Sequence, residues 1–160
     1  ATIYGAGDAK KGSRKTQLKV AQGRFNFYTP GGVNIVAVED VVEATIKAWQ
    51  VGKSGQRYIL AGENITIRQL FETIAKHAEV QAPKWYLPKA FLLALGQVGD
   101  LMEARGKRVS FNSEAARMAV LYHWFDSTKA QRELGLKVTP ADVAIGNSVN
   151  WMKDQGLLGI

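Results

Sequence analysis

Apolar positions along the chain shift between a period near two and a period near 3.6, and the shifts divide it into elements. "ATIYG" opens the chain as a short apolar run, the end of a buried strand. "SRKTQLKVAQ", between Gly12 and Gly23, reads as a short helix. "RFNFYT" alternates as a strand and "PGG" turns it. "VNIVAVE" is rich in β-branched residues and predicts a further strand. Asp40 then stands as N-cap of a helix, "VVEATIKAWQ", with Val42, Ile46 and Trp49 on one core-facing side. "VGKSGQ" is a loop and "RYILAG" a strand.

Helices dominate the second half. Thr66 is placed to cap a helix in which Ile67, Leu70, Phe71, Ile74, Ala75 and Ala78 recur at helical spacing. "APKWYLP" is an extended piece before a helix whose inner stripe would be Phe91, Leu95, Val98 and Met102. Gly96 and Gly99 either weaken that helix or admit a close neighbour. "NSEAARMAVLY" is a capped helix and "HWFD" is extended. "STKAQRELG" is a helix capped by Ser127 or Asp126 and stopped by Gly135. In the last helix Thr139 is the cap, Pro140 the first turn and Gly156 the stop. The aromatic pairs and runs, Trp49, Trp151, "KWY" and "YHWF", read as core.

At 160 residues the chain has the usual size of one domain, able to bury about 70% of its unfolded surface. It contains no cysteine, which excludes disulfides, thiolate metal sites and a cysteine nucleophile, and fits a cytoplasmic setting. The longest apolar run, "AFLLALGQVGDLM", is short of the roughly 20 residues that span a bilayer, so no membrane is expected. The net charge of +7 concentrates in Lys10, Lys11, Arg14, Lys15, Lys19 and Arg24. A solvated or anion-facing loop explains this better than nucleic acid, because no nucleic-acid motif accompanies it.

The glycines near the start invite a phosphate-loop reading that the spacing rejects. Gly5 and Gly7 begin a dinucleotide fingerprint, but Lys10 occupies its third glycine. Gly7 and Gly12 have P-loop spacing, but Ser13 and Arg14 follow instead of lysine and a hydroxyl residue. No tyrosine is followed four residues later by lysine, so the Tyr-x-x-x-Lys pair that lowers a phenol's pKa for proton exchange is missing. The two histidines, His77 and His123, have no metal spacing and read as structural. Glu39–Asp40 is not an acid/base pair if Asp40 is a cap. No catalytic, cofactor-binding or metal-binding residue is therefore assigned.

Four pieces occur in a telling order: "YGAGD", "GGVNIVAVEDVVEA", "GQRYILAGENITIRQLFETIA" and "FDSTKAQRELG". Together they resemble the C-terminal half of the extended short-chain dehydrogenase/reductase family, in its dihydroflavonol-4-reductase-like branch of NAD-dependent epimerases/dehydratases. The resemblance covers nearly the whole chain. It implies an α/β fold of few short strands and about six helices, a single substrate-binding domain over 1–160. Residues 1–7 would be the end of a Rossmann-sheet strand and its exit loop. The Rossmann half, with the glycine fingerprint and the catalytic tyrosine, would lie upstream of Ala1. Ala6 replaces the proline common in such exit loops. Asn34 stands where nucleotide-sugar enzymes often carry an arginine, which argues against that substrate class.

The expected function is the substrate-binding portion of an NAD(P)-dependent oxidoreductase or epimerase acting on a small carbonyl or hydroxyl compound, not catalytic alone. NAD or NADP would belong to the intact protein and not to this chain. The substrate-facing candidates are Tyr4, Asp8, Lys15, Phe25 and Phe27. The expected partners are the small-molecule substrate, the missing Rossmann half and a second copy in a homo-oligomer. Two alternatives use the basic stretch 10–24: a standalone small-molecule or anion-binding module, and a nucleic-acid binder.

Overall fold

The computed structural model describes residues 1–7, 15–109 and 111–158. The predicted Asp8 and the cations Lys10, Lys11 and Arg14 lie outside the described residues. Seven helices and six short strands are seen among the described residues, one helix more than expected.

The sheet is built around β3 (Gly32–Ala37), whose β-branched residues are buried on both faces. Along one edge β3 pairs antiparallel with β4 (Glu63–Thr66). Along the other it pairs parallel with β6 (Tyr122–His123) at residues 32–33 and with β1 (Thr2–Tyr4) at residues 35–37. A separate parallel ribbon joins β2 (Phe27–Tyr28) to β5 (Trp85–Tyr86).

The main core lies between this sheet and α1 (Lys15–Ala21), α3 (Ile67–Ala78) and α7 (Ala141–Asp154). Ile35, Ile74, Ile145, Val149 and Met152 are fully buried there, and Trp151 packs against them as expected. Thr66 caps α3 as predicted: its hydroxyl oxygen accepts from the Gln69 N–H at 3.2 Å while Gln69 Oε1 accepts from the Thr66 N–H at 2.8 Å. This reciprocal box satisfies two donors that the first helical turn leaves open. A second, smaller core sits between α2 (Val38–Val51) and α6 (Thr128–Leu134), around Ala44, Ala130, Leu134 and Leu136. Asp126 and Gly135 begin and end α6 as expected. Asp126 Oδ1 accepts from the Thr128 N–H at 2.8 Å, and Gly135 adopts φ 67°.

Several expectations fail for identifiable reasons. "RYILAG" forms no ladder; the strand is the following Glu63–Thr66. The Asn34 side chain holds both backbone groups of Gly62, accepting from its N–H at 2.9 Å and donating to its carbonyl at 3.0 Å. Tyr58 and Leu60 meanwhile pack on the α2–α6 core. Asp40 does not cap α2, which begins two residues earlier; it is buried in the first turn and accepts from Thr139. Thr139 in turn is not the cap of α7, whose N-cap position is Pro140.

The apolar faces of two helices are reversed. In α2 the buried residues are Asp40 and Ala44, while Val42 and Ile46 are half-exposed and Trp49 is 86% exposed. In α4 (Lys89–Ala104) the inner stripe is Leu92, Gly96 and Gly99, and Phe91, Leu95, Val98 and Met102 face out. The two glycines admit a close neighbour: a Cβ at Gly99 would stand 2.1 Å from the Phe111 carbonyl oxygen. That neighbour is α5 (Ser113–Ala119), capped by Asn112, whose Oδ1 accepts from the Ala115 N–H at 3.0 Å. Contrary to the core reading, Trp85, Tyr86, Tyr122, Trp124 and Phe125 are all substantially exposed.

Candidate functional site

Two surfaces flank the segments that were singled out in the sequence. The first is the exit of β1. One edge of β1 pairs with β3, and no strand covers the other among the described residues. Ile3 is half-exposed beside it. An open groove of about 560 Å³ follows this edge, lined by residues 1–3, 5–7 and Val38. Gly5 is needed for the tight passage, because a Cβ there would meet Val38 Cγ1 at 2.3 Å. Tyr4 points the other way and is buried in the main core.

The second surface is the aromatic ribbon of β2 and β5. Phe25 and Phe27 have ring centroids 4.5 Å apart, and Phe25 meets Phe71 edge-on at 5.5 Å. Tyr28 lies 5.7 Å from Tyr86. Arg68 stands 5.7 Å over the Tyr28 ring and donates to Glu72 Oε1 at 2.7 Å. The Glu72 hydrogen bond, and then its charge, raise the Arg68 pKa above its usual value. Tyr28, Arg68 and Glu72 border a groove of about 540 Å³ whose far wall is residues 81–84. An arginine on an aromatic face offers a planar donor to a carbonyl or an anionic group. Sequence reasoning missed Arg68 and Glu72. Their i,i+4 spacing on α3 was visible, but nothing in the sequence placed Tyr28 beneath the guanidinium.

Of the five predicted positions, Phe25 and Phe27 touch each other, and Phe25 and Tyr4 join the same core. Lys15 is exposed at the first residue of α1. Lys19 and Arg24, from the basic stretch, are exposed as well.

His77 is held by structure. Its Nε2 lies 3.2 Å from Asp142 Oδ1, which also accepts from Lys76 Nζ at 3.1 Å. The Lys76 hydrogen bond foremost, and His77 with it, hold the Asp142 carboxyl below its ordinary pKa against a smaller opposing effect of burial. His123 Nε2 lies 3.4 Å from the Met118 carbonyl oxygen. No group of three or more metal-ligating side chains is gathered among the described residues.

No family model matches the chain. It is 28% identical over 147 residues to sterol demethylase protein B of Methylococcus capsulatus, covering 90% of this chain and 45% of that protein. It is 29% identical over 144 residues to a putative dihydroflavonol 4-reductase of Synechocystis, covering 87% of this chain and 42% of that one. The crystal structure of gox2253 superposes with a TM-score of 0.83 at 32% identity, over 98% of this chain and 48% of its own. By these matches the chain resembles the extended short-chain dehydrogenase/reductase family. It corresponds to a C-terminal half of such a protein and spans about half the length of the curated relatives it matches. The fold extends to nucleotide-sugar epimerases, one crystallised with NAD, at 24% identity and below, a likeness of fold alone.

Proposed function

We propose that this chain is the substrate-binding portion of an NAD(P)-dependent oxidoreductase or epimerase that acts on a small carbonyl or hydroxyl compound. The observation that carries this reading is β1. It lies parallel to β3, no second strand pairs with it among the described residues, and Ile3 beside it is half-exposed, a geometry that supports continuation into a larger parallel sheet. The exit loop at Gly5–Gly7 then leads away from that edge, where ligands of open α/β sheets gather at strand ends. The cofactor would supply hydride chemistry, and the Rossmann half of the intact protein would hold it.

On this reading Lys15, Phe25 and Phe27 flank the substrate path, with Arg68 over Tyr28 as a polar group at its wall, whereas Tyr4 supports it from within the core. Asn34 supports a small carbonyl compound over a nucleotide sugar, since its amide is fully engaged with Gly62 and Asn64 and offers nothing to a diphosphate. The chain alone carries neither the glycine fingerprint nor the Tyr-x-x-x-Lys pair and is not expected to turn over substrate.

The test is a fluorescence titration of NADH and NADPH with the chain as given, and again with the chain joined to the half encoded upstream. Only the joined protein should bind nucleotide and oxidise it in the presence of a carbonyl substrate. Nucleotide binding by the chain alone overturns the division of roles, and an upstream sequence without a Rossmann half overturns the class.

A further inference from the structure

The α4–α5 hairpin presents an apolar surface that the reading above does not use. Along α4, Phe91, Leu95, Val98 and Met102 recur at positions i, i+4, i+7 and i+11 and all face out; Leu101 flanks them and is also exposed. The two acids of the helix, both exposed, bond to residues at the start of α5. Asp100 Oδ1 accepts from the Ser113 N–H at 2.9 Å, and Glu103 Oε2 accepts from Asn112 Nδ2 at 3.4 Å. Both acids are thus tied to the α5 side, and the stripe itself, Phe91, Leu95, Val98 and Met102, carries no anion.

Cations stand at both ends of this stripe. Lys84 and Lys89 lie at its start, and Arg105, Lys107 and Arg108 at its end; all five are exposed and form no ion pair among the described residues. Trp85, 73% exposed, and Tyr86 stand just ahead of the helix, separated from it by Leu87 and Pro88. The sixteen residues of α4 set the two cationic ends about 24 Å apart.

An outward stripe of Phe, Leu, Val and Met with cations at its ends and an exposed Trp–Tyr pair matches the chemistry of a helix lying in a lipid–water interface. The helix is too short and insufficiently apolar to cross a bilayer, and no described helix meets that requirement. The absence of a spanning segment therefore leaves surface attachment open. Charge decides between lipid and a second copy. A twofold pairing of α4 helices would be antiparallel or parallel. Either way it would set one unneutralised cationic end against another. An anionic headgroup layer complements both ends at once.

We propose that the outer face of α4 is a peripheral docking surface for an anionic membrane. The stripe sinks to the headgroup–acyl boundary while Lys84, Lys89, Arg105, Lys107 and Arg108 meet lipid phosphates and carboxylates. This does not rest on the enzymatic reading.

The test is co-sedimentation of the chain with phosphatidylcholine vesicles and with vesicles containing about 30% phosphatidylserine. Binding is expected to the anionic vesicles only, with a blue shift of tryptophan emission that W85F diminishes. About 0.5 M salt should weaken it by roughly tenfold or more. Two variants separate the contributions. L95N/V98N removes the stripe, and R105E/K107E removes one cationic end. Each is expected to abolish most sedimentation while circular dichroism stays that of the parent. No sedimentation of the parent with anionic vesicles overturns the proposal. So does sedimentation that both variants retain, or a stripe variant that converts an oligomer to a monomer without changing lipid binding.

Discussion

Thr139 donates twice to Asp40: its backbone N–H to Oδ2 at 2.8 Å and its hydroxyl to Oδ1 at 3.0 Å. The two residues lie 99 positions apart, and Asp40 is buried. Their contact fixes the entry to α7 against the first turn of α2. Glu63 adds a third acceptor at the same place, with Oε2 accepting from the Ala141 N–H at 2.8 Å. The first open donor of α7, the Ala141 N–H, is thus met by a side chain of β4, and the residue before its N-cap is held by α2, with no local side-chain cap.

Asp40→Ala should therefore cost about 2–3 kcal/mol, because it leaves the Thr139 N–H and hydroxyl without their partner. Thr139→Val, which removes only the hydroxyl bond, should cost about 1 kcal/mol. Urea unfolding of the two single variants and the double variant checks this. Strictly additive losses would mean that the pair does not act as one contact.

Asn34 makes the second prediction. Its side chain is fully buried; it accepts from the Gly62 N–H and donates to the Gly62 carbonyl and to Asn64 Oδ1 at 2.7 Å. Asn34→Ala strands these groups and should cost about 2–4 kcal/mol. Asn34→Asp keeps the shape and the acceptor but sets an oxygen against two oxygens. It should lose a comparable amount at neutral pH. An Asp variant with parental stability would remove the amide from its role.

These two residues also show how far the sequence could be read. The strand at Gly32–Ala37, the Thr66 cap, the Asp126 start and the Gly135 stop all depend on neighbours within a few positions, so local pattern revealed them. Asp40 and Asn34 answer to partners 99 and 28 positions away, and no local rule distinguishes a capping Asp from one that reaches Thr139. The helix faces failed for another reason. Periodicity found the apolar stripes of α2 and α4 correctly but cannot say which side meets the core. In α4 the small residues Gly96 and Gly99 took that side, since only they let α5 approach. At the candidate site, the turn that follows β1 at Gly5 to Gly7 was legible from its glycines, whereas Arg68 over Tyr28 joins α3 to β2 and required the fold.

Gly99→Ala tests that close approach. Alanine would favour the helix by about 1 kcal/mol over glycine in isolation. Here its Cβ would stand 2.1 Å from the Phe111 carbonyl oxygen and force α4 from α5. Overpacking of this kind costs about 1–3 kcal/mol, enough to outweigh the propensity gain. The expected outcome is faster amide exchange across α4 and α5 with the β3 amides unchanged. Slower exchange in α4 would show that propensity wins and that the hairpin accommodates the methyl.

Asp142 makes stability depend on acid. Its carboxyl sits below its ordinary pKa, chiefly through the Lys76 hydrogen bond and with His77 beside it. A depressed folded-state pKa contributes stability that is complete above the unfolded value of about 3.9 and is lost as pH falls through the folded value. Asp142 is half-exposed, so the contribution is screened and should stay under about 1 kcal/mol. Its place in the first turn of α7 acts in the same direction, since a negative charge is favoured at a helix start. Asp142→Asn should therefore be less stable than the parent at pH 7, and the gap should narrow as pH falls below about 4. Denaturant midpoints of both proteins from pH 7 down to pH 3 give the comparison. A gap that stays constant across that range would assign the loss to packing or to the hydrogen bonds alone, and the carboxyl would then have no part in acid sensitivity.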